Sequence, residues 1–341
     1  MLNRPGWQAV SGEPGRRAAR SAGANLARVN DPREIAPVRV LLAWLSFPIL
    51  MGGFVALAAW GFARGLDPAG FGAALTVANF FVILAVEQVL PRVPQMNVFR
   101  DRQSWNDMGH GILLATLARP VGGALSVASL VWLAQLRGAA GFTSAWPGAW
   151  PFAAQFALAL LFWTFGDYWI HRSLHSFDRL WWFHSVHHDT PQMHILKSGR
   201  IHFGEEIFNA VLKPVPLLLL GAPPEVMACL GLWIVFDGNL VHSNIDQRFP
   251  CWAHYFVPTV QLHNLHHARD RRHQDSNFSG SSAIWDVLFG TFSHPDRCRL
   301  GPLGIQKSPG PAGFAAQIVF PFRAQLAVPE PRAGTPGERG A

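Results

Sequence analysis

Fourteen of the fifteen histidines in this 341-residue chain fall between His171 and His294. Even spreading would place about five there, so their position is a signal in itself. His171 and His175 stand four residues apart, which on a helix aims both imidazoles at one site. His184, His187 and His188 follow, and His263, His266 and His267 repeat the same HxxHH spacing. Adjacent helical residues diverge by about 100°, so each triplet is suited to feeding two ions rather than crowding one. His242, alone in Asn239-Leu240-Val241-His242-Ser243-Asn244, would supply a ninth ring.

A single helical histidine is ordinarily a surface or hydrogen-bonded residue. Three groups of two or three are harder to explain that way, because protonated imidazoles packed together repel unless a metal or carboxylate compensates. The pattern therefore predicts a dedicated metal site. Nine imidazoles exceed the four ligands of a tetrahedral zinc centre, and neither HExxH nor a cysteine-based pattern accompanies them. Two first-row metals with four or five nitrogens each would use them all, and imidazole alone does not choose among iron, zinc, copper and nickel. Asp167, one turn before His171, is placed to accept that ring's N–H and fix its tautomer.

His171-Arg172-Ser173-Leu174-His175, His184-Ser185-Val186-His187-His188 and His263-Asn264-Leu265-His266-His267 resemble the three histidine boxes of the fatty acid hydroxylase/sterol desaturase superfamily of membrane di-iron enzymes. Asp167-Tyr168-Trp169, His242-Ser243-Asn244, Asp275-Ser276-Asn277-Phe278 and Ile284-Trp285-Asp286-Val287-Leu288-Phe289-Gly290-Thr291 resemble its remaining signatures. The similarity covers roughly residues 155–295. It departs where the family has Thr-Pro before the third box and this chain has Pro258-Thr259, and where Ser279 precedes Gly280.

The resemblance implies metal ligands at His171, His175, His184, His187, His188, His242, His263, His266 and His267, with Asp167, Asn264 and His202 supporting them. His110, His194, His254, His273 and His294 match no box and are expected to be surface, capping or ordinary hydrogen-bonding residues. It further implies two iron ions, O2 as co-substrate, and hydroxylation of an unactivated C–H bond in a fatty acyl, sterol-like or carotenoid-like lipid, with desaturation as the alternative outcome. Such a bond has no acidic proton and no polarised carbonyl, so a redox metal with dioxygen is needed to cut it. Without GxGxxG, CxxCH or clustered cysteines, electrons must come from a separate carrier, for which the resemblance suggests a cytochrome b5 or ferredoxin with an NAD(P)H-dependent reductase. Two readings from other classes stand beside it: a zinc-dependent membrane lipid hydrolase that activates water, and a non-catalytic membrane metal-binding protein.

The elements that must carry these residues read as an all-α integral membrane protein. Half the residues are hydrophobic and 14% are charged, against roughly a quarter charged in soluble domains. Val40 to Ala63 holds no charge, about 36 Å of helix against a hydrocarbon core of about 30 Å. Pro68 to Val86 is a second such run, closed by Glu87. Gly109 to Leu136 is interrupted by Arg119-Pro120 and reads as a kinked span or a re-entrant piece. Gly138 to Gly166, with a helix starting near Pro151, is the fourth. Pro214 to Leu220 and Val226 to Phe236, each too short to span, read as a hairpin dipping into the bilayer or as buried helices.

Seven arginines against three acids in the first forty residues place the N-terminus on the cytoplasmic side of a bacterial inner or endoplasmic-reticulum-like membrane. Four crossings then put a helical, histidine-rich di-metal domain on that side. The expected organisation is a disordered basic segment over 1–37, transmembrane helices over 38–150, the catalytic domain over 151–295 and a Pro/Gly-rich tail over 296–341. The net charge of +7 is dispersed, so nucleic acid is not an expected partner. The cysteines, Cys229, Cys251 and Cys298, are too scattered for a disulfide framework.

Overall fold

The computed structural model describes residues 37–139, 141, 144–298, 300–305 and 313–327. The basic segment before Pro37 lies outside the described residues, as does the chain after Ala327. The helices are α1 (Pro37–Ala63), α2 (Pro68–Val89), α3 (Ser104–Leu113), α4 (Arg119–Ala139), α5 (Phe152–Ser176), α6 (Asp178–His188), α7 (Phe203–Leu212), α8 (Val215–Leu220), α9 (Pro224–Val241), α10 (Val260–His266), α11 (Arg271–Gln274), α12 (Ile284–Phe289) and α13 (Phe314–Ala327). Among the described residues the only β pairing is two isolated bridges.

The long helices run between two ends. At one, Arg39 Nη2 donates to the Pro91 carbonyl at 2.6 Å and pairs with Asp246 at 3.7 Å, joining the start of α1 to the exits of α2 and α9. The other end gathers Gly65, Leu66, Pro68, Phe152 and Glu225 around a cavity. The histidines lie at the first end, the same end as Pro37. Central to both halves is α9, which packs against α1 and α2 through Phe236 and Leu240 and against α5 and α8 through Val226 and Leu230. Apolar side chains such as Leu41, Trp44, Trp60, Val77, Phe81, Val127 and Trp132 point outward. That outer surface suits lipid, which explains the scarcity of charge.

Four helices are long and apolar enough to cross a membrane: Pro37–Ala63, Pro68–Val89, Ser104–Leu136 and Pro224–Val241. Two differences from the sequence reading have local causes. The fourth such helix is α9 rather than the segment ending at Gly166. The helix does not stop where the apolar run ends at Phe236, because Asp237 and Asn239 are buried and bonded, to Ser281 and Asn79, and it continues to Val241. The supposed dipping hairpin is therefore a short α8 followed by a full-length α9. Second, Arg119-Pro120 neither breaks nor re-enters: a π turn over Leu114–Ala118, in which Arg119 N–H bonds the Leu114 carbonyl, absorbs the proline and joins α3 to α4.

The tail is also partly ordered. Phe314–Ala327 is a helix despite Pro321. Buried Gln317 meets His110 Nε2 at 3.1 Å, and Phe320 and Phe322 pack on Trp182 and Phe183, so apolar docking outweighs the poor local propensity.

Candidate metal centre

The nine box histidines converge from α5, α6, the end of α9 and α10. Their nitrogens form two groups, His171, His175, His184, His188 and His266 in one and His187, His242, His263 and His267 in the other, with the ligand atoms of each group within 4.8 Å of one another. Each HxxHH box is thus shared: its adjacent pair diverges and serves both groups, as helical geometry requires.

The outer nitrogens reveal which tautomer is present. Nδ1 of His171 meets the Phe278 carbonyl at 2.6 Å, of His266 the Ser276 carbonyl at 2.8 Å, of His187 the Arg200 carbonyl at 3.1 Å and of His242 the Gly238 carbonyl at 2.6 Å. Glu205 Oε1 lies 2.9 Å from His184 Nδ1, and Asp275 Oδ1 3.4 Å from His175 Nδ1. A carbonyl only accepts, so these rings carry hydrogen on Nδ1 and present a bare lone pair at Nε2. Yet the Nε2 atoms face one another: 3.0 Å for His171 to His184 and to His266, 3.1 Å for His184 to His188, 3.2 Å for His187 to His242 and 2.7 Å for His242 to His263.

Lone pairs so aimed repel unless a cation lies between them. Ligands about 2.1 Å from one ion would stand about 3.0 to 3.4 Å apart, which matches these spacings except the shorter His242 to His263 contact. The donor set therefore fits two ions of the imidazole-binding, first-row kind. Burial first, and neighbouring rings second, push the imidazolium forms of His171, His175, His187, His188, His263 and His267 far below the usual range. Burial takes His242 down to about 4 and His266 to about 3, against the opposing bonds to Gly238 and Ser276. These eight rings stay neutral and able to bind metal at ordinary pH.

Two pieces of scaffold hold this arrangement. Asn277 adopts φ 54°, a left-handed turn that lets the carbonyls on either side of it reach His266 and His171. Its amide clamps Ser293, and Asp286 accepts from Phe278 N and Ser279 N at 2.8 Å each. Behind α6, Arg200 donates to the Val186 and Asp189 carbonyls, capping the helix end that carries His187 and His188. Asp107 pairs with Arg200 at 2.8 Å and, together with Asp101, with Lys197 at 2.5 and 2.7 Å. Asp101, Asp107 and His194 are close enough to suggest a metal site, but Lys197 and Arg200 already neutralise those carboxylates.

The supporting residues expected from the sequence sit differently. Asp167 does not serve His171: its carboxylate binds Lys213 Nζ at 2.6 Å and Gly280 N at 3.1 Å, while the His171 ring turns to Phe278. His202 touches no ligand ring. It caps α7 through Gly204 N and meets the Ile318 carbonyl at 2.9 Å, and so indirectly places Glu205. Asn264 is buried on α10 between the ligands, and its Oδ1 has no hydrogen-bonding partner.

Glu205, Asp275 and Arg200 support the ligands in roles that sequence reasoning did not assign, although Asp275 stands in one of the signature segments. The signal was present for Glu205 and Arg200 as charges in the short stretch beside His202, but their partners are distant in the chain. Of the remaining histidines, His194 bonds Asp101, His254 bonds Thr259 and His294 meets Cys251.

The fatty acid hydroxylase family model matches residues 156–291, the stretch that holds every histidine of both groups. An ornithine lipid hydroxylase of Rhizobium tropici is 34% identical over 226 residues, 65% of this chain and 67% of that protein. Alkylglycerol monooxygenases of Danio rerio and Homo sapiens are 30% and 28% identical over 159 and 162 residues, 43% and 44% of this chain. The matched stretch spans about a third of those two relatives, 32% of each. No solved structure matches the chain significantly.

Proposed function

This chain belongs to the fatty acid hydroxylase family, and on that premise we propose that it is an O2-dependent di-iron monooxygenase that hydroxylates a membrane lipid. The observation that carries the reading is the pair of facing imidazole groups, five and four rings, at one end of an apolar helix bundle. His171, His175, His184, His188 and His266 would hold one iron, and His187, His242, His263 and His267 the other. Iron bound there supplies reductive activation of dioxygen, the chemistry an unactivated C–H bond needs.

One oxygen atom enters the substrate and the other leaves as water, with two electrons and two protons consumed. The electrons come from a separate carrier, such as a cytochrome b5 or ferredoxin served by an NAD(P)H-dependent reductase. The protein's own work is positional. The carbonyls of Phe278, Ser276, Arg200 and Gly238, with Glu205 and Asp275, fix every bonded ring in one tautomer, and the outward apolar faces admit the substrate from the bilayer. A cavity of about 530 Å³, lined mainly by Val55, Phe62, Phe156, Leu232, Trp233 and Phe236, offers space for acyl chains. The arginine bias of the first forty residues, and the placement of Pro37 at the histidine end, support a centre that faces the cytoplasm.

The test is lipid mass analysis under ¹⁸O2 of cells with and without the chain. A lipid that gains one labelled oxygen atom supports the proposal. Loss of two hydrogens instead would make the protein a desaturase. Lipid cleavage that needs neither oxygen nor reductant would make it a zinc hydrolase.

A further inference from the structure

On the bundle side of the histidines, polar atoms collect beyond those that hold the rings. On α7 and its C-cap, Glu205, Asn209 and Lys213 recur every four residues and share one face, about 6 Å apart along the axis. Glu205 reaches His184 and Lys213 reaches Asp167, so Asn209 between them faces the same interior. Asp167 lies one turn before His171 on α5. Asp237 lies five residues before His242 on α9, about 7.5 Å along that helix. Ser281 donates to Asp237 Oδ2 at 2.7 Å from the loop whose carbonyls hold His171 and His266.

Three buried acceptors in this nest lack a donor. Asp237 is 3% exposed and Asn209 8%. Oδ1 of each, and Oε2 of Glu205, has no hydrogen-bonding partner. The one cation, Lys213, is held by Asp167. A buried carboxylate oxygen without a donor is costly, and an ionisable group at this depth marks a ligand path by default. Phe236, the residue before Asp237, and Trp233, one turn before it on the same face of α9, wall the 530 Å³ apolar cavity, so the helix borders both a polar nest and an apolar space.

We propose that this nest is the subsite for the substrate's polar head, and that it takes a lipid whose head carries hydrogen-bond donors, above all a primary ammonium. The inference rests on the lipid hydroxylase reading and deepens it by naming a substrate class. An ester-only head would bring acceptors to acceptors. An ammonium brings the donors that Asp237 and Asn209 lack.

The test uses the full chain, iron-loaded and anaerobic in lipid nanodiscs so that nothing turns over. Two tritiated probes share the same acyl chains: an acylated ornithine with its free side-chain amine, and the same lipid built on norvaline, which lacks only that amine. Wild-type protein binds the amine probe about tenfold or more tighter. Asp237→Asn and Asn209→Leu each shrink that ratio by about threefold or more and leave the norvaline lipid's affinity unchanged. Equal binding of the two probes by wild type, or an undiminished ratio in both variants, overturns the proposal. Iron content is read on every sample, and Asn209→Leu decides the matter if Asp237→Asn does not assemble. Failure of the hydroxylase reading shows separately, as absence of oxygen insertion into any lipid, and the binding ratio does not depend on it.

Discussion

His188 belongs to the five-ring group, with Nε2 3.1 Å from that of His184 and its ring stacked on His267 of the other group at 4.3 Å. His188→Ala is expected to lower bound iron and abolish turnover while membrane insertion persists. Metal quantification and activity on one preparation check this. His294→Ala is expected to behave almost as wild type, because that ring meets Cys251 and caps a short turn away from both groups.

Asn277→Val is expected to cost about 1–2 kcal/mol through its left-handed backbone, more with the lost clamp on Ser293, and to lower iron affinity. Asn277→Gly keeps the backbone freedom and should retain more iron, so the pair separates turn from clamp. Eight of the nine rings were legible from spacing, since i, i+3 and i+4 geometry is local, whereas His242 stands alone in the sequence and entered through the resemblance. The hydrogen-bond partners of those rings were not legible. Asp167 looked like the partner of His171 because it stands one turn away, whereas the true partner is a carbonyl 107 residues on.

The elements show the same division between local and distant causes. The ends of α6 and α9 must meet α10, and buried charge holds α6 in place: Lys197 and Arg200 are both fully buried against Asp101 and Asp107. Asp107→Ala leaves two buried cations short of a partner and is expected to cost about 3–5 kcal/mol. A fall in Tm with early loss of iron checks it, and unchanged thermal unfolding would refute it. Charge-free runs marked α1 and α2 within a few residues. The true length of α9 and the passage of Pro120 were hidden, because a buried Asp237 reads as a helix end and a π turn has no composition signature. The helix α13 was hidden for a related reason: its order comes from docking on α6, not from its own residues.

At the scale of the whole molecule, the histidine centre and Pro37 share one end of the bundle. Cys251 is exposed near that end, on the segment that follows the Arg248 contact with Ala43. In sealed vesicles, an impermeant thiol reagent acting on a chain that keeps only Cys251 should therefore reach it on the same face that exposes an N-terminal tag. Labelling from opposite faces would reject the arrangement.

The paired centre itself is most directly tested by Mössbauer spectroscopy with total metal quantification on the full chain purified under anaerobic conditions. The expected result is one iron for each of the two histidine groups, in nitrogen-rich surroundings, with His188→Ala depleted. Stoichiometric zinc in place of iron, or a single ion shared by all nine rings, would contradict it.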